Sequence, residues 1–234
     1  MLITRKQYDA LADTEITEGS SEIESLLGES NLGTYAQYGS WAIWPDVSVK
    51  PVATSQDKSV VNKFSAVEGT AHSNVVLVAY NLGRPASPSH GAGDGKNHHE
   101  RLWENFHSGS RDYALARATE RTAFRGAYIT DYYKGLPTNT TADLRELFKS
   151  KGKDWERQVE KAMCSILNYE LSIIGAEAVP IVALGKTDTV PVLLRNYGPD
   201  RVSGARHYSR AGGDSYRQEF EALEKTLHLT TAKE

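Results

Sequence analysis

Four polar residues whose side chains could take part in chemistry stand at the ends of apolar runs in this sequence. Asn81, Asp131, Lys186 and His207 lie at or just after the predicted strands 75–78, 126–130, 180–184 and 202–208. An amide can hold a water molecule, a carboxylate accepts hydrogen bonds, an ammonium attracts anions, and an imidazole can donate or accept a proton. The alternative for Asn81 and nearby Gly83 is that they only shape a turn. For His207 and Lys186 the alternatives are a hydrogen-bonded strand-end histidine and a solvated lysine.

The segments between these runs predict the elements that would bring the four residues together. The strands alternate with helical segments, and the clearest of these is an amphipathic helix that begins at Asp154 and ends near Gly175. Such alternation is typical of a parallel sheet with helices on both faces. We therefore expect a three-layer α/β/α fold with a central, mainly parallel four-stranded sheet. Ligands bind beyond the carboxyl ends of the strands in such sheets, so the four residues would gather at one edge.

Composition narrows the class of protein. The 234 residues carry a net charge of −3, and Cys164 is the only cysteine, which excludes an internal disulfide. No apolar segment is long enough to span a bilayer, and the first residues lack the hydrophobic core of a signal peptide. We expect a soluble, cytoplasmic protein without an evident obligate protein partner. Residues 1–30 are acidic, whereas Arg195–Arg217 is rich in arginine, and this permits either a local anionic ligand or a solvated surface.

The segment between the first two strands carries no recognised cofactor motif. Gly93–Lys96 does not have the spacing of a phosphate-binding Walker loop, and Asn97 follows the lysine. His98–His107 predicts a helix, on which adjacent histidines would point in different directions, so His98 and His99 make a poor metal pair. We expect neither a metal nor another cofactor.

Short motifs in a fixed order carry a resemblance to a known family. They are Ala79-Tyr80-Asn81-Leu82-Gly83, Leu102-Trp103, Ile129-Thr130-Asp131, Leu184-Gly185-Lys186 and His207-Tyr208-Ser209. In this order, residues 75 to about 220 resemble the uracil-DNA glycosylase superfamily, nearest its mismatch-specific uracil-DNA glycosylase branch. The resemblance implies a uracil-DNA glycosylase-like α/β/α domain over residues 75–234, with residues 1–74 as an N-terminal extension packed on the core.

The resemblance also implies an activity and a set of roles. The activity is metal-free hydrolysis of the N-glycosidic bond of a damaged or deaminated base that has been flipped out of single- or double-stranded DNA. Asn81 would hold the attacking water, and His207 would donate a hydrogen bond to the departing base. The implied base pocket is Tyr80, Gly83, Phe106 and Asp131, and the implied phosphate contacts are Ser87, Lys186, Ser209 and Arg210. Phe106 is alternatively a core residue.

Three positions depart from the family pattern and keep other functions open. Leu82 and Tyr208 replace prolines, and Asp131 stands where uracil-specific members have an asparagine. An ionised carboxylate only accepts hydrogen bonds, so Asp131 suits a base with neighbouring donors better than uracil. One alternative is a weak or inactive member of the fold that binds nucleic acid or a nucleotide. Another is a hydrolase of free nucleosides or nucleotides.

Overall fold

The computed structural model describes residues 1–28, 32–81, 102–136, 138 and 140–230. Five strands in these residues form one sheet in the order β1-β3-β2-β4-β5. β1 runs antiparallel to β3, and the other neighbours are parallel. The strands are β1 (Ser40–Trp41), β2 (His72–Asn81), β3 (Ala127–Tyr133), β4 (Ile181–Leu184) and β5 (Val202–Ala205). The predicted α/β fold with a mainly parallel sheet is confirmed.

Helices occupy much of the chain between the strands, and α7 shows why they form where they do. Its first turn carries Asp154 and Glu156, which favour the positive end of the helix dipole, and Gly175 lies in the left-handed region just after its end. The helices are α1 (Arg5–Asp13), α2 (Ser20–Leu27), α3 (Pro51–Ser55), α4 (Phe64–Val67), α5 (Asp112–Thr119), α6 (Thr141–Lys151), α7 (Lys153–Ile173), α8 (Thr189–Tyr197) and α9 (Asp214–Thr226). In the ranges that the structure describes, no helix is long and apolar enough to cross a membrane.

The aromatic segment 35–45 reads in the sequence as either a strand or a packed arm, and it supplies β1, which makes the sheet five-stranded instead of four-stranded. It pairs Ser40 with Ile129 and Trp41 with Tyr128 on β3. Two residues are too few to show a strand period, so only the pairing with β3 defines this strand. Through β1, residues that precede β2 in the sequence also form part of the sheet.

The side chains of β2 point alternately to the two faces of the sheet, and each face carries a hydrophobic cluster. Val76, Val78 and Tyr80 belong to the first cluster, which also contains the apolar stripe of α7 and buried side chains of α1 and of residues 32–43. Val75, Leu77 and Ala79 belong to the second cluster, together with side chains of α5 and α9. β2 is therefore covered on both faces, which explains its nearly continuous apolar sequence.

The strand pairing defines one row of residues across the parallel part of the sheet. Thr130 pairs with Val78, Val78 pairs with Ala183, and Ala183 pairs with Gly204. We call these four residues the register row. The position of a later residue on each strand can be stated as the number of residues by which it lies beyond this row.

Gly126 provides a test of the close packing just before β3. Its φ is +89°, and a Cβ atom there would lie 2.1 Å from the backbone oxygen of Thr70. Gly69 also has a positive φ, of +77°, but a Cβ there would meet nothing within 4 Å. We expect Gly69→Ala to lower the free energy of unfolding by about 1–2 kcal/mol, because only the left-handed backbone opposes it.

Gly126→Ala should cost more than Gly69→Ala, because the backbone contact adds to the same conformational penalty. Denaturant unfolding of the two variants, compared with the unsubstituted protein, measures the difference. Equal destabilisation would show that the Thr70 segment moves away without cost.

Candidate active site at the carboxyl edge of the sheet

The register row places the predicted site residues at one edge of the sheet. Asn81, Lys186 and His207 each lie three residues beyond a member of the row, and Asp131 lies one residue beyond Thr130. Parallel strands end at the same edge, so these residues belong to the carboxyl edge. β4 lies between β2 and β5, and a spacing of about 4.8 Å per strand puts the ends that carry Asn81 and His207 roughly 10 Å apart.

Asn81 is half-buried and is oriented by the first turn of α6. The Thr141 hydroxyl donates a hydrogen bond to Asn81 Oδ1 over 3.2 Å. This contact directs the carbonyl side of the amide towards α6. An amide can orient a water molecule by hydrogen bonding, but it cannot remove the water's proton.

His207 is held in one tautomer by the residue two positions later. The Ser209 backbone N–H donates to His207 Nδ1 over 3.2 Å, and Ser209 Oγ lies 2.7 Å from the same nitrogen. A backbone N–H can only donate, so Nδ1 is the acceptor and the ring proton is on Nε2. The pKa of His207 is lowered to about 4, mainly by burial and also by the charge of Arg210, against the opposing effect of Asp188. At neutral pH, His207 is therefore an uncharged imidazole with an Nε2–H donor.

Tyr208 lies between His207 and Phe106 in an aromatic chain. Its ring stacks on His207 with centroids 4.4 Å apart, and it meets Phe106 edge-on with centroids 6.2 Å apart. Phe106 is buried in the second cluster. Tyr80 belongs to the first cluster on the opposite face and packs edge-on against Tyr133 at 5.0 Å. Phe106 and His207 are thus connected through the ring of Tyr208, whereas Tyr80 and Phe106 lie on opposite faces of the sheet.

Asp131 is the buried carboxyl group of the site. It is 1% exposed, and Ala127 and Ile129 on the same side of β3 belong to the second cluster, which contains Phe106. Asn105 Nδ2 donates to Asp131 Oδ2 over 2.6 Å. Burial raises the pKa of Asp131 to about 7, against the opposing effects of Asn105 and Lys134. Asp131 is therefore poised between its neutral and ionised forms near physiological pH.

The segment that carries Asn105 is strained and is not the helix that the sequence predicted. Residues 102–110 form turns, and Trp103 and Phe106 have φ values of +61° and +64°. Residues three apart share one face of a helix, but here Trp103 packs into the first cluster and Phe106 into the second. Packing on two faces of the sheet therefore overrides the helical pattern. Left-handed backbone at bulky residues costs roughly 1–3 kcal/mol each and is concentrated at functional sites.

A buried ion pair supports Asp131 from the opposite face of the sheet. Lys134 Nζ lies 2.9 Å from Glu170 Oε2, and both side chains are 0% exposed. The Tyr128 and Thr130 hydroxyls donate to Glu170 Oε1 over 2.8 Å each. Lys134 also donates to the backbone oxygen of Asp131. The ammonium therefore fixes the main chain of Asp131, while Asn105 fixes its side chain.

Glu170 and Asn105 were missed by sequence reasoning. Glu170 lies four residues after Ile166 and one before Leu171, on the buried side of α7. A carboxylate at a buried position of that apolar stripe indicates a buried cationic partner, because charged side chains are almost never fully buried unless paired. This is the one signal in the sequence that could have revealed the ion pair. No comparable signal in the sequence pointed to Asn105.

The arginine-rich segment 195–217 does not form one free basic surface. Arg195 pairs with Glu160, Arg206 pairs with Glu219 over 2.8 Å, and Arg217 pairs with Asp214 and Glu221, each over 3.4 Å. Lys186 lies 2.6 Å from the same Glu219 that holds Arg206. These carboxylates reduce the positive charge that the sequence alone suggested.

The predicted phosphate contacts differ in how they are placed. Arg210 is exposed and makes no ion pair within the described part of the chain. Its positive charge lowers the pKa of His207. Ser209 holds His207, as described above. Ser87, and Gly83 of the predicted base pocket, lie outside the described residues, as do Leu82 and the His98–His99 pair. In the described ranges, no group of three or more His, Cys, Asp or Glu residues is placed to hold a metal ion.

The amino edge of the sheet carries an open cavity of about 1070 Å³. Its lining includes His72 at the start of β2 and the exposed side chains of Arg121 and Arg125. This cavity lies at the other end of β2 from Asn81. It is therefore separate from the carboxyl-edge site.

Comparison with protein-family models, with curated proteins and with solved structures found no match to this chain. The carboxyl-edge residues themselves are therefore the basis for inferring a function.

Proposed function

We propose that this protein is a metal-free N-glycosyl hydrolase that binds a nucleobase at the carboxyl edge of a three-layer α/β/α fold. The substrate would be a base flipped out of DNA, as the resemblance to the uracil-DNA glycosylase superfamily implies. The observation that carries the proposal is the neutral His207, whose Nε2–H donor is fixed by Ser209 at the same edge as Asn81, Asp131 and Phe106.

Each part of the reaction has a matching group at this edge. When the bond between the sugar carbon and the base nitrogen breaks, its electron pair moves to the base. The Nε2–H of His207 would donate to the base oxygen on which that charge accumulates. Asn81 would hold the water that attacks the sugar carbon, and the water's proton passes to solvent because an amide cannot take it.

Among the described residues of the carboxyl edge, the charge distribution supports contact with a short length of phosphate backbone. Arg210 can meet a phosphate directly, whereas the Lys186 ammonium must first exchange its contact with Glu219. Binding through one or two cationic contacts gives a shallow dependence on salt, because the slope follows the number of phosphates neutralised.

The second candidate is a protein of the same fold that binds a base or nucleotide without cleaving it. Tyr208 favours this candidate, because its ring fills the place between His207 and Phe106 where a flipped base would stack. In that case His207 would serve only to support Tyr208.

A panel of oligonucleotides separates the two candidates. Single- and double-stranded DNA carrying uracil, hypoxanthine, xanthine or ethenocytosine is incubated with the protein, and abasic sites are then cleaved by alkali. We expect strand scission on at least one of these substrates. Salt-dependent binding without scission on any of them would favour the second candidate, and release of base from mononucleosides alone would indicate a nucleoside hydrolase.

A further inference from the structure

The amino-edge cavity contains two arginines whose charges are not paired within the described part of the chain. Arg121 and Arg125 are exposed and line the cavity, and neither guanidinium has a hydrogen-bond or ion-pair partner among the described residues. Glu120 contributes one carboxylate to the same lining. The two guanidiniums outweigh it, so the lining is positive in a protein whose net charge is −3. The cavity therefore attracts an anion.

The turn that carries the two arginines is held in place by the residues between them. Thr122 and Phe124 are buried, and the Phe124 ring meets Phe220 edge-on with centroids 5.1 Å apart. The Ala123 backbone N–H donates to the Glu224 carboxylate on α9 over 2.7 Å. These contacts fix the main chain and leave the two arginine side chains in solvent. A fixed main chain lowers the entropy cost of bringing both guanidiniums onto one ligand.

His72 connects this turn to the first residue of β2. Its Nε2 lies 3.0 Å from the Arg125 backbone oxygen, and its Nδ1 accepts a hydrogen bond from the Asn74 backbone N–H over 3.3 Å. A backbone N–H only donates, so the ring proton is on Nε2 and is donated to Arg125. Burial lowers the pKa of His72, so the ring is uncharged near pH 7. The positive charge of the lining therefore comes from the arginines and not from His72.

Irregular backbone surrounds the cavity. The pairing of β2 with β3 shifts its register between His72 and Val76. His228, in the lining, has a φ of +51°, and Gly69, also in the lining, has a φ of +77° with open space where a Cβ would lie. Strand irregularities and left-handed backbone at residues other than glycine are concentrated at functional sites.

A phosphoryl group suits the two arginines better than a carboxylate does. It carries a charge of about −1.5 to −2 near pH 7 and offers three acceptor oxygens, whereas a carboxylate carries one charge on two oxygens. The planar guanidinium binds phosphate oxygens through two parallel N–H donors. One phosphoryl group can therefore accept hydrogen bonds from both Arg121 and Arg125.

The size and lining of the cavity indicate that the phosphoryl group belongs to a larger molecule. The volume of about 1070 Å³ is that of a small-molecule site, which typically measures about 300–1,000 Å³. Leu2, Ala123 and Leu229 add apolar groups to the lining. A bare phosphate ion would contact only a small part of this surface.

We infer that the amino-edge cavity binds a small organic phosphate, whose phosphoryl group is held by Arg121 and Arg125 and whose remaining atoms occupy the cavity. The site lies at the other end of β2 from Asn81, so this inference does not depend on the proposed function. A DNA backbone fits the cavity less well, because it is neutralised by cations spread along a surface and not by two in one concave site.

The test is calorimetric binding of phenyl phosphate, inorganic phosphate and benzoate at constant ionic strength and about pH 7.5, where the phosphoryl group is largely doubly charged. Phenyl phosphate combines a phosphoryl group with an apolar body. We expect it to bind at least about tenfold more tightly than either of the other two probes, because each of them lacks one of these parts.

Three matched variants show whether the two arginines hold the probe. Arg121→Gln and Arg125→Gln should each weaken the binding of phenyl phosphate by about 10–100-fold, because each removes hydrogen bonds to a charged group. Arg117→Gln removes an exposed arginine on α5 that does not line the cavity, and it should leave the affinity unchanged. All three side chains are exposed, so the thermal unfolding midpoint should be preserved.

Backbone amide chemical shifts locate the bound probe. Titration with phenyl phosphate should move the amide signals of residues 121–125 and leave those of residues 207–210 in place. Shifts at 207–210 alone would assign the probe to the carboxyl edge and overturn the inference. Benzoate or inorganic phosphate binding as tightly as phenyl phosphate would also overturn it, as would unchanged affinity in Arg121→Gln and Arg125→Gln.

A short DNA duplex distinguishes the two sources of phosphate. We expect the duplex not to displace phenyl phosphate. Displacement that is lost in the two arginine variants would assign the cavity to nucleic-acid phosphates and overturn the small-molecule inference. Strand scission plays no part in these measurements, so the proposed function and this inference can fail separately.

Discussion

Replacement of Lys134 by methionine is expected to lower the free energy of unfolding by about 3–5 kcal/mol. The substitution leaves the Glu170 carboxylate without its cation in a fully buried position, and uncompensated buried charge is strongly destabilising. It also removes the donor to the backbone oxygen of Asp131. Denaturant unfolding at pH 7 measures the effect.

Two further variants show whether the buried charge is the cause. Lys134→Met combined with Glu170→Gln should lose less than the two single changes added together, by about 0.5–3 kcal/mol, because the double variant has no unpaired charge. Arg157→Met breaks the exposed pair with Asp154, 3.2 Å long, and should change stability little. Strict additivity of Lys134→Met and Glu170→Gln would contradict the coupling that the structure shows.

Replacement of His207 by alanine is expected to lower the rate of base release by about 10²–10³-fold. This is the usual loss when one preorganised donor to a developing negative charge is removed. The uncharged imidazole is the active form here, so the contribution of His207 should not change between pH 5 and pH 8, as follows from its pKa of about 4. The contribution should change as the pH falls through 4, because protonation of Nδ1 breaks the contact with the Ser209 N–H that orients the ring.

Single-turnover rates on the preferred oligonucleotide test this expectation. His207→Gln retains an N–H donor and should recover part of the rate. His228→Ala removes an exposed histidine that lines the amino-edge cavity and should leave the rate unchanged. A full rate in His207→Ala, with the thermal unfolding midpoint preserved, would remove His207 from the site.

The arrangement of the site shows which predictions followed from local sequence. The apolar stripe of α7 is buried as its spacing predicted, and the run at Val75–Val78 forms the middle of β2. The predicted strands at 180–184 and 202–208 correspond to β4 and β5, although β5 ends at Ala205 and His207 lies beyond it. These features depend on residues a few positions apart, so periodicity alone indicates them.

The strained segment shows where local sequence misleads. The spacing of residues 98–107 favours a helix, yet Trp103 and Phe106 are buried in clusters on opposite faces of the sheet. The burial of two large aromatic side chains outweighs the modest helix propensity of the segment. Because the segment forms turns and not a helix, the Asn105 side chain is directed at Asp131.

The sequence by itself determined the parallel α/β architecture, the burial of β2 and α7, and the placement of Asn81, Asp131, Lys186 and His207 near strand ends. Only the tertiary structure decided that Asp131 pairs with Asn105, that Lys134 pairs with Glu170, and that Tyr208 lies between His207 and Phe106. The physical reason is that local periodicity reports which side of an element is apolar. Contacts between distant residues depend instead on strand order and on which face of the sheet each loop covers, and these are set by the packing of the whole chain.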